Sequence, residues 1–120
     1  MKGLQLTADL YRCHCEAAWL QDAGRLQEWC VSTARAAGLH PVAHAFHGGP
    51  PRGIGLSLMM EDGHVCLHAW PTEKAVTLDV YVGHGDGDQS AKARALMEAL
   101  VNRFQPEWTE QRSLDRGDEG

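Results

Sequence analysis

Three side chains that can bind metals or transfer protons occur at alternate positions in the segment EDGHVCLHAWP, residues 61–71: His64, Cys66 and His68. If this segment is a β-strand, residues two apart point to the same face, with Cα atoms about 6.5–7 Å apart. A neighbouring pair could then chelate one metal ion, whereas His64 and His68 are roughly 13 Å apart by the same rise. A tetrahedral site would therefore need a ligand from elsewhere in the chain. The candidates for that ligand are His44, His47 and His84.

Three interpretations of this set remain open. The side chains could pack and hydrogen-bond within the fold without a chemical role. They could instead bind a transition metal such as zinc, and the metal ligands would then be His64, Cys66 and His68. They could also act in acid–base catalysis without a metal, because histidine changes its charge near neutral pH. The candidate catalytic residues are His68, His84 and Cys66.

The spacing of apolar residues predicts the elements that position this segment. Alternation of apolar and polar residues predicts strands at about 4–11, 41–46, 54–60, 65–70 and 75–82, with a last strand at about 107–113. A helix is predicted from about Ala23 to Ala37, capped by Asp22 and ended by Gly38. A second helix is predicted over about 90–103.

The order of these elements indicates the fold class. Short turns join the middle strands, which must therefore pair antiparallel. Two helices covering one face of such a sheet make an α+β fold, a two-layer α/β sandwich with a mostly antiparallel sheet. Residues 1–113 are predicted to form this single domain, and residues 114–120 a disordered tail.

Composition excludes several classes of partner. The 120 residues carry a formal charge of −5 and no lysine or arginine cluster, which argues against binding nucleic acid or an anionic membrane. An acidic chain suits a cationic small molecule better. The first residues lack the continuous apolar run of a signal peptide, and no stretch reaches the length of a transmembrane helix. A cytoplasmic location is therefore expected, with the four cysteines unpaired.

Several segments together carry a family resemblance. They are DLYRC at residues 9–13, Thr33 to Gly38, Phe46-His47 with Pro51 and Gly53, His64 to Pro71, and Asp79-Val80-Tyr81. They resemble segments of the small bacterial and archaeal S-adenosylmethionine decarboxylases, the pyruvoyl enzymes of spermidine biosynthesis, and no gap is needed from Gly38 to Val82. The resemblance implies the fold described above, a homodimer, and an active site beside the strand of His68 and the loop after Tyr81.

The chemistry of that family depends on a serine that this chain lacks. Family members cut themselves at a Glu-Ser bond and convert the serine to a pyruvoyl group, which serves as an electron sink. By the resemblance, that serine falls on Gly63 and the glutamate on Asp62. Glycine has no hydroxyl, so neither the acyl shift nor the elimination can occur there, and no pyruvoyl group is expected. Other residues of the family's site fall on Gly49, Gly55 and Thr72, and its proton donor falls on Gly83 or, with a one-residue insertion, on His84. His68, the family's processing histidine, persists.

The resulting prediction is a non-self-processing S-adenosylmethionine decarboxylase-like protein. In the ancestral pocket it would bind either a small molecule, for which a cation is one candidate, or a partner subunit. It would assemble as a homodimer or as a hetero-oligomer with an active paralogue. The predicted ligand-binding residues are His47, Gly63, Glu73 and Tyr81. One alternative is an enzyme of lyase ancestry with new, metal-assisted or metal-free chemistry around His68. A second alternative is S-adenosylmethionine decarboxylase activity in spermidine biosynthesis through an unrecognised processing site.

Overall fold

The fold consists of six strands and three helices within residues 1–117, the part of the chain that this computed structural model describes. In chain order the elements are β1 (Gly3–Cys13), α1 (Ala18–Gln21), α2 (Ala23–Ala36), β2 (Pro41–Gly48), β3 (Ile54–Met60), β4 (Gly63–Trp70), β5 (Ala75–Gly83), α3 (Ser90–Phe104) and β6 (Pro106–Arg116). No helix in this range is long and apolar enough to cross a membrane.

All six strands form one sheet in the order β2-β3-β4-β5-β1-β6, and every neighbouring pair is antiparallel. Strands β2 to β5 follow one another as a meander. Strand β1 pairs with β5 on one side and with β6 on the other. The meander therefore carries the segment of His64, Cys66 and His68 in the interior of the sheet, flanked by β3 and β5.

The hydrophobic core lies between one face of the sheet and the helices. Every second residue of β1 is buried on that face, including Leu6 and Leu10, and β5 contributes Leu78 and Val80 in the same way. Helix α3 closes the core with Phe104, which is fully buried. Truncating such a side chain to alanine costs about 3–5 kcal/mol. The predicted two-layer α+β sandwich is confirmed, with both predicted long helices on the same face.

The ends of α2 follow the predicted capping chemistry. The backbone N–H of Arg25 donates a 3.0 Å hydrogen bond to Asp22 Oδ1 at the start of the helix. At the other end Gly38 adopts a φ of 91°, a left-handed conformation that glycine accepts without steric cost. This cap turns the chain into β2, the edge strand that brings His47 to the sheet.

Two features differ from the sequence prediction. Helix α1 was not predicted; its four residues bury Trp19 and Leu20. Strand β6 extends to Arg116, so residues 114–116 belong to the sheet and not to a disordered tail. As an edge strand, β6 is largely exposed on both faces and lacks the apolar alternation that marks buried strands. Of the rest of the predicted tail, Gly117 follows the strand, and residues 118–120 lie outside the described residues.

Candidate functional site

The face of the sheet opposite the helices, here called the open face, carries the residues that could do chemistry. The even-numbered residues of β4 point to it: His64, Cys66, His68 and Trp70. The intervening residues Val65, Leu67 and Ala69 are buried in the core. His64, Cys66 and His68 therefore share one face, as the sequence predicted, because side chains alternate along a strand.

His68 and His47 converge over Gly55. These residues lie on β4, β2 and β3, in one row across the sheet, since Gly55 pairs with His47 on one side and with His68 on the other. A Cβ atom built on Gly55 would lie 3.0 Å from the Nε2 atom of each histidine. Both imidazoles thus occupy the space that a larger residue at position 55 would take. Trp70 stacks on His68 with ring centroids 5.9 Å apart.

Cys66 lies in the next row, between Ser57 and Asp79. Its Sγ atom is 3.7 Å from Ser57 Oγ, and either atom can donate that hydrogen bond. Asp79 is its direct partner on β5. The carboxylate of Asp79 makes no ion pair with any residue of the described range 1–117, so it is available to a cation from outside the chain.

His64 packs against Tyr81, its partner on β5, with ring centroids 5.5 Å apart. The guanidinium of Arg116 lies 5.8 Å from the Tyr81 ring centroid and hydrogen-bonds Gln5. The His64 ring and the Arg116 guanidinium therefore both lie near the Tyr81 ring, which gives Tyr81 a packing role on the open face. His64, Cys66 and His68 occupy three successive rows. Within residues 1–117 no group of three or more His, Cys, Asp or Glu side chains is arranged to hold a metal ion.

Gly63 begins β4 immediately after the β3–β4 turn. It pairs with Met60 and Val82, both of which are buried, so any side chain at residue 63 would point to the helix side of the sheet. A Cβ atom there would collide with the carbonyl oxygen of Tyr81 and lie 3.0 Å from the Val82 Cα. The cavity beside Gly63 has a volume of about 20 Å³, enough for roughly one water molecule.

His84 is placed at the opposite end of β5 from the row of His68. Its Nδ1 accepts a 3.1 Å hydrogen bond from the backbone N–H of Gln89, which precedes α3. His84 follows Thr77, the β5 partner of His68, by seven residues, which is about 23 Å along an extended strand. His84 and His68 therefore cannot act on the same atom within one chain. Of the candidate site residues His47, His64, Cys66, His68 and His84, only His47 and His68 converge within the described part of one chain.

Glu73 lies in the turn after β4, at the other end of that strand from Gly63. It lines a shallow cavity of about 300 Å³ together with Trp70, Pro51 and Arg52. A larger cavity of about 480 Å³ lies between α3 and β6, lined by Arg94, Glu98, Asn102 and Gln111 among others. Its size is that of a ligand pocket. It includes none of the residues predicted from the sequence to form the site, whereas the open face carries His47, His64 and His68.

A six-stranded antiparallel sheet with its helices on one face is the architecture of a solved decarboxylase. The adenosylmethionine decarboxylase of Aquifex aeolicus superposes on this chain with a TM-score of 0.81 at 26% identity, over 98% of this chain and 92% of that one. In addition, the sequence model of the S-adenosylmethionine decarboxylase family matches residues 4–117. The chain belongs to the S-adenosylmethionine decarboxylase family.

Curated relatives within this family carry different substrate names. An S-adenosylmethionine decarboxylase proenzyme of a Hydrogenobaculum species is 26% identical over 115 residues, which cover 96% of this chain and 81% of the relative. An arginine decarboxylase proenzyme of Pyrobaculum arsenaticum is 32% identical over 84 residues, 68% of this chain. This second match spans 63% of the relative, less than two thirds of its length. Family membership therefore leaves the substrate open.

The pyruvoyl group of the family does not fit residue 63. It derives from a serine side chain, whereas Gly63 supplies no side chain atoms and the Tyr81 carbonyl occupies the space they would need. Sequence reasoning identified the missing hydroxyl but not the missing space. It also missed the meeting of His47 and His68. The signal for that meeting was Gly55, because a glycine in a strand often marks a place where something else approaches closely.

Proposed function

We propose that this chain is a non-self-processing member of the S-adenosylmethionine decarboxylase family that binds a small molecule or a partner subunit through the open face. The observation that carries the proposal is Gly63, which lacks the hydroxyl needed for cleavage and has no room for one. Self-processing needs a hydroxyl oxygen carried on a Cβ atom, two bonds from the Cα, and Gly63 offers a hydrogen atom only.

Ser57, the nearest other serine, is a poor replacement for that nucleophile. It lies in the middle of β3, where the backbone is paired on both sides with β2 and β4. Cleavage there would require a backbone amide in the interior of the sheet to break its hydrogen bonds with the neighbouring strands. The Ser57 hydroxyl already has Cys66 Sγ as a hydrogen-bonding partner. These features favour an intact chain over residual processing.

The open face suits a binding function because it combines polar groups with uncovered apolar side chains. Met59, Trp108 and Leu114 point to it and are at least half exposed. They lie on β3 and at two separate points of β6, so they are spread across the face and do not form one contiguous patch. A second copy or a related subunit would bury them, and a small ligand held between two such faces would contact Asp79 and the histidines.

The small size of the cavity beside Gly63 also supports the proposal. Pockets for drug-sized ligands have volumes of about 300–1,000 Å³. The roughly 20 Å³ beside Gly63 is far below this range. A small molecule is therefore expected on the open face or between two chains, rather than inside one chain beside residue 63.

Intact-mass measurement of the purified protein tests the central claim. The expected result is one species with the mass of the whole chain, unreactive to carbonyl reagents. The Hydrogenobaculum relative, expressed and measured in the same way, is the control for a chain named as a proenzyme. Two fragments that meet near residues 62–63, or a carbonyl-reactive terminus, would refute the proposal.

A further inference from the structure

The row His47–Gly55–His68 has the geometry of a two-ligand cleft. The two histidines lie on strands separated by β3, so their backbones are about 9.5 Å apart at ordinary strand spacing. A residue with a side chain on β3 would stand between them. Gly55 has none, and each Nε2 lies 3.0 Å from the point where its Cβ would be. The two nitrogens are thus separated by no more than twice that distance.

We propose that His47 and His68 form a binding site for a divalent transition metal ion, with one Nε2 ligand from each ring. Zinc–nitrogen bonds are about 2.0–2.1 Å long, so two nitrogens of a tetrahedral site are about 3.4 Å apart. Side-chain rotation that moves each Nε2 by at most about 1.3 Å brings the pair to that separation. In a single chain both side chains are exposed, so the remaining ligands are water or, in a dimer of open faces, groups of the facing copy.

Both imidazoles are available for this role. Neither His47 nor His68 makes a hydrogen bond or an ion pair through its side chain to another residue of the described chain. The Trp70 ring lies against His68 and limits its rotation. A pre-oriented, otherwise unengaged imidazole loses less entropy on binding a metal than a freely rotating one.

The choice of metal follows from the ligands. Imidazole nitrogens suit zinc, copper and nickel, and affinity for divalent ions rises to copper and falls again at zinc. Two protein ligands leave at least two coordination positions for exchangeable groups, as in catalytic rather than structural zinc sites. The site is therefore expected to bind Cu²⁺ more tightly than Zn²⁺, and both reversibly. It differs from the set His64, Cys66 and His68, whose members lie in successive rows.

Calorimetric titration of the untagged protein with Zn²⁺ and with Cu²⁺ tests the site. Wild type is expected to bind one equivalent of each ion. Removing either ring, in His47→Ala or His68→Ala, should weaken this binding at least tenfold. The double variant should be no weaker than either single variant, because one remaining ring cannot chelate. His44→Ala is the matched control: His44 is also an exposed histidine of β2, but it pairs with Leu58 and points to the helix side.

Gly55→Ala supplies a test that keeps both histidines. Its methyl group would stand 3.0 Å from each Nε2, a contact that forces the two ring ends apart by a few tenths of an ångström while leaving the strand intact. Metal affinity should fall at least tenfold with a thermal unfolding midpoint close to that of wild type. Equal affinities for wild type, His68→Ala and Gly55→Ala, or an equal loss in His44→Ala, would overturn the proposal.

Discussion

The carbonyl oxygen of Tyr81 occupies the space that a side chain on Gly63 would need. The two residues lie on adjacent strands, because Gly63 is the β4 partner of Val82, the residue after Tyr81. The close approach of the two backbones means that the glycine is part of the local packing.

Restoring the serine should therefore fail to restore self-cleavage. Gly63→Ser is expected to remain a single chain and to lose about 1–3 kcal/mol of unfolding free energy, the usual cost of overpacking. Gly63→Ala should lose a similar amount. Intact mass and chemical denaturation measure the two effects. Gly87→Ala is the control, because a Cβ on Gly87 meets no atom within 4 Å. Cleavage of the Gly63→Ser chain would show that the backbone opens more readily than this contact implies.

The open face should be the interface of a homodimer. Light scattering at micromolar concentration is expected to give twice the monomer mass. Leu114→Glu places a charge among the exposed apolar side chains and should weaken association at least tenfold, which is about 1.4 kcal/mol. Gln111→Glu changes the same strand on its helix side, since Gln111 pairs with the buried Ala8, and should leave the mass unchanged. A monomeric wild type, or equal effects of both variants, would contradict this interface.

Chemical labelling should distinguish Cys66 from the buried cysteines. Burial raises the pKa of the Cys30 thiol to about 12 and that of Cys13 to about 11, so their reactive thiolate forms are scarce at neutral pH. Burial also raises the pKa of Cys15. Iodoacetamide applied to the native protein, diluted until the dimer of open faces dissociates, should therefore modify Cys66 first, as peptide mass spectrometry would show. Denatured protein, in which all four cysteines react, is the control. Preferential labelling of Cys30 would mean that α2 opens from the sheet.

Asp88 should make the stability of the start of α3 depend on pH. The Ser90 backbone N–H donates a 2.8 Å hydrogen bond to Asp88 Oδ1, and hydrogen bonding by Ser90 lowers the pKa of this carboxyl from 3.8. Because the folded-state pKa is the lower one, the carboxylate stabilises the fold above pH 3.8, and this contribution is lost as the pH falls through the folded value. Asp88→Ala should lower the unfolding midpoint at neutral pH.

The pH series itself is the test of that carboxylate. The difference in unfolding midpoint between wild type and Asp88→Ala should narrow as the pH falls below 3.8. Asp86→Ala, in the same loop, is the comparison, since Asp86 makes no hydrogen bond or ion pair within the described residues. A difference between wild type and Asp88→Ala that stays constant with pH would assign the effect to backbone conformation instead of charge.

Local patterns predicted the sheet well where a strand has one buried face. Strand β3 was predicted at its observed bounds because Ile54, Leu56 and Leu58 alternate with residues of the open face. Strand β6 ended later than predicted, because an edge strand that is largely exposed on both faces has no such alternation. Helix α1 is too short for its period to show in the sequence.

The candidate site was predictable only in part. The alternation of β4 placed His64, Cys66 and His68 on one face without further information. The meeting of His68 with His47 depends on the β2–β3 register, which shifts between Pro41 and Ala43 and follows from tertiary pairing. His84 follows β5, which runs antiparallel to β4 and carries the chain away from His68. The resemblance, which puts the family's proton donor at or next to His84, could not reveal that separation.

The position of β1 has a consequence for how the chain folds. Strands β2 to β5 pair with their neighbours in sequence, so their contacts can form by closing short loops. Strand β1 leaves the ribosome first, yet its partners come much later, since Gly3 pairs with Gly83 and with Arg116. Closing such long loops is slow, and topologies rich in distant contacts fold more slowly than local ones. We therefore expect the meander to form first, with the apolar face of β1 left unpaired until β5 has been synthesised.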